Sequence, residues 1–175
     1  MKPLPILAFT AIFTTTLVSS ILVAARSAEI LSSAQISTPD AVPYPEGYRE
    51  WMHVKSALIT PPSRGFKRFG GLHHIYANAK ALEGYRTGVF ADGAVIVADF
   101  LETQEKDGDV SEGKRRFIDV MQKDSKHFAQ TGGWGFEEFS GDSKTERTLT
   151  NPAKECFQCH TAKQESGFVF SSLRK

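Results

Sequence analysis

The chain has 175 residues, is 41% hydrophobic, and carries 21 basic and 20 acidic residues for a formal net charge of +1. This length fits one globular domain of ordinary size, and balanced charge excludes the basic face that nucleic-acid binding needs, so we expect no nucleic-acid partner. The chain has only two cysteines, Cys156 and Cys159, which leaves none for a disulfide elsewhere.

Residues 1–28 have the pattern of a secretory signal peptide. Lys2 supplies the positive start, an apolar stretch runs from Leu4 to Ala25, and small residues lead to a cleavage site near Ser27 or Ala28. The alternative is an uncleaved membrane anchor, although six hydroxyl side chains make the stretch a poor spanning helix. We therefore predict an exported protein located in the periplasm.

The part that follows the signal divides into a lead-in and one domain. Residues 29–43 are rich in Ser, Ala and Pro and predict a mobile lead-in that is ordered only near its end. We expect the domain to occupy residues 44–175 and to open with a short helix whose first turn holds Pro45 and Glu46. Tyr48 and Trp51 are three positions apart and would pack one face of that helix into the core.

Three segments in the first half of the domain predict β-strands. They are Val54–Ile59, then Leu72–Ala77 after a Gly-rich basic loop, and then Ala94–Leu101. The third is apolar at nearly every position, which is typical of a strand buried on both faces.

The sequence also predicts two short helices in this domain. Asn78 is a good N-cap for a helix over Ala79–Thr87, and Gly88 suits its left-handed terminator. A second short helix is expected to begin at about Pro152, near the C-terminus.

The second half of the domain is partly ambiguous. Lys106–Asp109 predicts a surface turn, and Trp134–Phe139 alternates as an antiparallel strand does. The segment between them, Lys114–Phe128, fits a helix or a strand equally well. Together these elements predict an α+β fold, a mainly antiparallel β-sheet with a few short flanking helices.

The motif that carries chemistry is Cys156-Phe-Gln-Cys159-His160, which reads C-x-x-C-H. This is the attachment signature of a c-type haem, because two thiols at this spacing can each form a thioether with one porphyrin. The adjacent His160 can then donate an imidazole nitrogen to the iron. We predict one covalent haem c bound near the C-terminal helix, with His160 as the metal ligand.

The motif and the iron site each have alternative interpretations. A thioredoxin-like redox pair does not need the histidine, and structural zinc needs four ligands. The glycines between segments rule out the four long helices of a cytochrome c′ bundle. No methionine follows His160; Met52 and Met121 remain formal sixth ligands of the iron, although we expect both to fill gaps in the core.

The chain resembles the cytochrome P-460 family, which includes the proteins called cytochrome c′-beta, from about Pro45 to Phe170. Besides C-x-x-C-H, the resemblance rests on three short segments in the order of the family: Tyr48–Trp51, Gly88–Val97 and Gly133–Phe136. It implies a mainly antiparallel sheet with flanking helices, a homodimer, a single five-coordinate haem c, and nitrogen-oxide chemistry.

The resemblance also implies a set of residues above the iron. Hydroxylamine-oxidising members link a lysine to the haem, and the matching position here is Ala98, which cannot form the link. A distal arginine of the family matches His73. The resemblance therefore predicts a canopy of His73, Ile96, Ala98 and Phe100, the last three sharing one strand face.

Two groups of polar residues have open interpretations. His73 and His74 are either ordinary strand residues or, on the functional interpretation, donors to a bound ligand or a sixth iron ligand. Four carboxylates are candidates to relay protons near the haem or are simply solvated or paired: Asp99, Glu102, Glu137 and Glu138.

The sequence thus predicts a periplasmic mono-haem c-type cytochrome with an open or weakly occupied distal site. It would bind nitric oxide or a similar small gas, exchange electrons with a redox partner protein, or do both. Two alternatives remain: a hydroxylamine-oxidising enzyme with a lysine-modified haem, and a six-coordinate electron-shuttle cytochrome.

Overall fold

The structure, a computed structural model, describes residues 41–174 and is built on one five-stranded antiparallel sheet. Consecutive strands are neighbours throughout, in the order β1-β2-β3-β4-β5. The strands are β1 (Met52–Ile59), β2 (Gly71–Ala77), β3 (Val95–Lys106), β4 (Asp109–Lys123) and β5 (Trp134–Ser140). The predicted α+β fold is therefore confirmed.

Short helices flank the sheet. They are α1 (Phe66–Phe69), α2 (Ala79–Thr87) and α3 (Gln158–His160), with a π-helical turn at Ala153–Phe157 and 3-10 turns at Tyr48–Glu50, Ala129–Thr131 and Thr161–Ser166. No helix among residues 41–174 is long and apolar enough to cross a membrane. The signal peptide predicted at 1–28 and most of the lead-in at 29–43 lie outside the described residues.

The capped helix α2 forms as predicted. Asn78 Oδ1 accepts hydrogen bonds from the backbone N–H groups of Ala81 (2.9 Å) and Val95 (3.1 Å), so one side chain caps the helix and joins it to β3. Gly88 ends the helix in the left-handed conformation, with φ of 81°.

The ambiguous segment Lys114–Phe128 is β-strand as far as Lys123. It pairs with β3 on one side and β5 on the other, and this double pairing decides between two local patterns that the sequence left equal. β3 and β4 continue beyond their neighbours as a two-stranded ribbon, because β2 stops pairing at Leu101 and β5 begins pairing at Phe117.

The loop before β2 contains the short helix α1, which the sequence did not predict. At its end Gly71 has φ of 103°, and a Cβ there would lie 2.3 Å from the Leu101 carbonyl oxygen. Only glycine fits this close approach of β2 to β3.

One face of the sheet is closed by the N-terminal segment; we call it the closed face. Its buried side chains are Val42, Tyr48, Val97, Ile118, Val120 and Phe139, with Tyr44 and Trp51 packed against them. Tyr48 and Trp51 therefore share the core as predicted. The helix expected at Pro45 and Glu46 begins instead at Tyr48, because Gly47 is left-handed (φ of 68°).

The closed face also buries Asp99 completely. Its carboxylate accepts hydrogen bonds from Tyr48 Oη (2.7 Å), Arg115 Nε (2.7 Å) and Arg49 Nη2 (3.1 Å). Burial opposes ionisation of this group, but the hydrogen bonds from Arg115 and Tyr48 prevail and lower the pKa of Asp99. This cluster holds the first turn of the domain against the middle of the sheet.

Candidate functional site

A cavity of about 650 Å³ lies between the other face of the sheet, which we call the cavity face, and the C-terminal segment. All seven predicted site residues line it: His73, Ile96, Ala98, Phe100, Cys156, Cys159 and His160. The structure thus brings together residues that lie up to 87 positions apart in the chain. Their roles toward a haem stay predictions.

The canopy over the cavity comes from side-chain alternation in two paired strands. His73 on β2 lies opposite Phe100 on β3, and Ile75 lies opposite Ala98. The imidazole of His73 stacks on the Phe100 ring with 5.2 Å between centroids and 29° between planes. Since alternate residues share a face, Ile96 joins this row.

The two histidines of β2 point to opposite faces. His73 faces the cavity, and its Nδ1 is buried without a hydrogen-bond partner among the described residues. Burial, and then the positive charge of Lys55, lower the pKa of His73. His74 instead makes a 2.6 Å hydrogen bond through Nδ1 with Ser56 Oγ, while its Nε2 lies 2.7 Å from Glu112 without hydrogen-bond alignment.

The motif occupies a continuous helical segment. Cys156 lies in the π-helical turn, and Cys159 and His160 lie in α3. Glu155 supports the start of the segment, because its Oε1 accepts hydrogen bonds from the backbone N–H groups of Thr150 (2.9 Å) and Asn151 (2.5 Å).

The thiol environment discriminates between the interpretations of the motif. The two cysteines form no disulfide with each other, and burial chiefly raises the pKa of the Cys156 thiol to about 12. A redox-active C-x-x-C pair needs a thiol whose pKa is lowered, so this environment does not suit a thioredoxin-like pair. Among residues 41–174 no three His, Cys, Asp or Glu side chains are grouped to hold a metal ion, which leaves the cysteines without co-ligands for zinc.

His160 is arranged so that its Nε2 could bind the iron of a haem. Its Nδ1 lies 2.6 Å from the carbonyl oxygen of Phe168, which can only accept, so Nδ1 carries the proton and Nε2 keeps a free lone pair. The ring packs between Phe136 (5.0 Å between centroids) and Phe170 (4.9 Å). Burial lowers the pKa of His160, which favours the neutral imidazole that binds iron.

The tail after the motif is fastened to the rest of the domain. Gly167 and Phe168 both have φ of 67°, a tight reversal. Trp134 Nε1 donates a 2.9 Å hydrogen bond to the carbonyl of Gly167, and Tyr85 Oη is 2.6 Å from Ser171 Oγ. The acceptor of the His160 proton is therefore held by contacts with β5 and α2.

Asp119, which no sequence motif marks, lines the cavity from β4. Its Oδ1 is buried without a hydrogen-bond partner, and it lies opposite Glu138 on β5. Burial, and then the negative charge of Glu138, raise the pKa of Asp119 well above its usual range. Because the sequence of this segment fits a helix or a strand, it does not predict which face Asp119 occupies.

Lys55, a half-buried residue of β1 that the sequence pattern does not single out, also lines the cavity. A β-bulge shifts the register between His53 and Lys55. Simple alternation along β1 therefore does not reveal which side chains reach the cavity.

Two further expectations are corrected or refined. Met52 does not fill a gap in the core, since it is 50% exposed on the edge strand, whereas Met121 is 8% exposed and lines the cavity. Two of the four candidate relay carboxylates lie away from the cavity, since Asp99 is on the closed face and Glu102 is exposed. Of the other two, Glu137 accepts a hydrogen bond from Arg147, and Glu138 lies opposite Asp119.

The site fits a haem in three respects. It has two thiols at thioether spacing, a neutral histidine with a free Nε2, and a largely apolar cavity of this size. Cys156 and Cys159 would hold the macrocycle and His160 the iron, which supplies redox chemistry and a coordination position for a small ligand. The fold and the site thus define a c-type haem protein.

A comparison with family models gives the same result at a finer level. The model described as Cytochrome P460 matches residues 45–171, most of the chain, and the chain belongs to this family. Proteins of this family bind a covalently attached c-type haem. A search of curated proteins gives no match. The resemblance seen in the sequence is confirmed over almost the span expected.

Proposed function

We propose that this protein is a periplasmic mono-haem c-type cytochrome that binds nitric oxide or a similar small gas at an open iron position opposite His160. The observation that carries this proposal is the row of three apolar canopy residues on β3, namely Ile96, Ala98 and Phe100, along the cavity face. These side chains offer neither an iron ligand nor a nucleophile, and they favour a small neutral ligand over a charged one.

The same arrangement supports electron exchange with a redox partner protein. Cys159 is exposed, so the attachment edge of the site lies close to solvent. We also propose a homodimer, as the family resemblance implies. The unpaired edge strand β1, which exposes Met52 and Leu58 (45%), is available for such an interface.

Hydroxylamine oxidation is the second candidate, and two observations favour it. Lys55 is the one lysine among the described residues that line the cavity, and Asp119 is a carboxyl group able to exchange a proton there. Against it, Ala98 occupies the position that matches the cross-linked lysine of the family's enzymes. Lys55 lies two strands away from Ala98, on β1.

The optical spectrum of purified ferrous protein, with and without carbon monoxide and nitric oxide, tests the proposal. We expect ordinary c-type bands, binding of both gases, and an intact mass of the mature chain plus one haem. His160→Ala should change the ferric spectrum while the haem stays attached, whereas His127→Ala, an exposed control, should not.

Two results would contradict the proposal. If the ferrous protein does not bind carbon monoxide, the iron is six-coordinate. Met121 and His73 are then the first candidates for the sixth ligand. A red-shifted Soret band, together with a haem-bearing tryptic peptide that contains Lys55, would restore the hydroxylamine oxidase.

A further inference from the structure

We propose that Lys55 and His73 form a subsite for an anionic oxygen group at the β1–β2 end of the cavity, and that its occupant is a carboxylate of the haem itself. A small oxyanion from solution has the same chemistry and is the other source to be distinguished. The inference rests on the proposed haem function and concerns how this chain positions the cofactor.

Lys55 is a cation in need of a partner. It is half-buried in the cavity wall, and the described residues give it neither a hydrogen bond nor an ion pair. Lysine is almost never buried unless it is paired, so an unpaired lysine in a cavity wall is a candidate for an anionic partner. An anion in the cavity would give this ammonium group the partner that the described residues do not supply.

The acidic groups of the cavity are already engaged or uncharged. Glu137 accepts from Arg147, and Glu155 accepts from the backbone at the start of the motif helix. Asp119 has a raised pKa, which favours its neutral form. The other cation of the wall, Arg68, donates to Glu138 at 2.8 Å. Lys55 is thus the cavity cation that no described acid neutralises.

His73 supplies a second group on the same face. Lys55 lies opposite Ile75, and Ile75 is two residues from His73 on β2, so the side chains of Lys55 and His73 are diagonal neighbours. Such neighbours lie about 7–8 Å apart, with their Cβ atoms somewhat closer, a gap that one oxygen-bearing group can bridge. His73 Nδ1 is buried without a partner and can donate to that group.

The position of the motif relative to the sheet favours a haem carboxylate. The thiol end is near β4 and β5, because the charges of Asp119 and Glu138 act on Cys156 and the His160 ring packs on Phe136. β1 is at the other edge of the sheet, four strand spacings or about 19 Å away. In haem, the carboxylates project from the side of the macrocycle opposite the vinyl groups that thiols bond.

The consequence of such a pair is electrostatic. A free carboxylate close to iron favours the ferric state, and an ammonium group beside it cancels that preference. Lys55 is therefore a positioning residue that also raises the midpoint potential, without contacting the iron or its gas ligand.

The test compares Lys55→Gln with Lys67→Gln in the holoprotein. Lys67 lies on α1, is exposed, and does not line the cavity, so it gives the same charge change outside the site. The ferric/ferrous midpoint potential is measured as a function of pH. Lys55→Gln should lower the potential at neutral pH and move its acid-side inflection to higher pH. Lys67→Gln should do neither, and Lys55→Arg should resemble the wild type.

A second arm identifies the source of the anion. Nitrite is titrated into the ferric holoprotein and followed at the Soret band. If the subsite serves a free oxyanion, Lys55→Gln should weaken nitrite binding about tenfold or more while the pH inflection stays in place. Equal behaviour of Lys55→Gln and Lys67→Gln in both arms would overturn the inference. A wild-type protein that carries no haem would instead overturn the proposed function.

Discussion

Asp99 and Asp119 lie on neighbouring strands but on opposite faces of the sheet, and the protein treats them in opposite ways. On the closed face, Asp99 is buried among three hydrogen-bond donors, and its pKa is lowered. On the cavity face, Asp119 has a buried oxygen with no donor and an acid beside it, and its pKa is raised.

The difference separates a face whose buried carboxylate is fully hydrogen-bonded from a face whose buried carboxyl is not. A buried carboxylate with a full set of donors stabilises a fold, because every charge has its partner. A buried carboxyl without donors lowers the stability of the fold, and such groups are found preferentially at functional sites. The closed face is complete in itself, whereas the cavity face leaves Asp119, His73 and Lys55 open toward the cavity.

The largest expected effect is on the closed face. Asp99→Asn leaves Arg115 and Arg49 with a neutral partner and should lower the free energy of unfolding at pH 7 by about 3–5 kcal/mol. Denaturant titration of the holoprotein measures this. Because the folded pKa of Asp99 is lowered, its contribution is complete above the unfolded value of about 3.9 and is lost as pH falls through the folded pKa. The variant should lack this acid-side loss.

A stability of Asp99→Asn equal to that of the wild type at pH 7 would contradict the assignment of the closed face. Glu105→Gln, an exposed change on the β3–β4 ribbon, is the control for removal of one negative charge. We expect its effect to stay within about 0.5 kcal/mol.

Asp119→Asn should have the opposite sign. The folded pKa of Asp119 is raised, so the native state keeps its proton where the unfolded chain has lost it. The wild type therefore loses stability as pH rises from about 3.9 to that raised pKa, and Asn removes the loss. At pH 7 the variant should be more stable by about 1 kcal/mol or more. A variant that is less stable at pH 7 than at pH 4, by as much as the wild type, would show that Asp119 is not responsible.

The smallest expected effect compares the two histidines of β2, one on each face. His73→Leu replaces the polar ring that faces the cavity with an apolar one, removes about one hydrogen bond's worth of positioning at the site, and should change the dissociation rate of bound nitric oxide several-fold. His74→Leu, on the closed side of the strand, should leave that rate unchanged. Stopped-flow displacement of the ligand measures both, and equal rates would remove His73 from the site.

Much of the fold could be predicted because local chemistry decides it. Asn78 and Gly88 mark the ends of α2, and the apolar run at Ala94–Leu101 marks the buried part of β3. The segment that failed, Lys114–Phe128, has residues that suit either period, and its strand conformation comes from pairing with two neighbours. Pairing partners are not a local property of the chain.

The haem-attachment motif could be predicted from the sequence, whereas some of the residues that line the cavity could not. The covalent part consists of three residues within five positions, namely Cys156, Cys159 and His160. Their spacing alone therefore predicts their joint role. Asp119 and Lys55 were missed because each reaches the cavity through a tertiary feature, the strand state of β4 and the bulge in β1. A bulge changes which face a side chain occupies without changing its identity.

The partner of His160 Nδ1 is a main-chain carbonyl, that of Phe168, and not a carboxylate. A carboxylate acceptor can be deleted by one codon change, but every amino acid at position 168 brings the same carbonyl. The tautomer of the His160 imidazole is thus protected from most single substitutions. The same fact removes one means of adjustment, since no side chain there can be exchanged to give the ring a more or less charged acceptor. On the proposed haem function, side chains that can adjust the charge around the iron lie on the sheet side, at Lys55, His73 and Asp119.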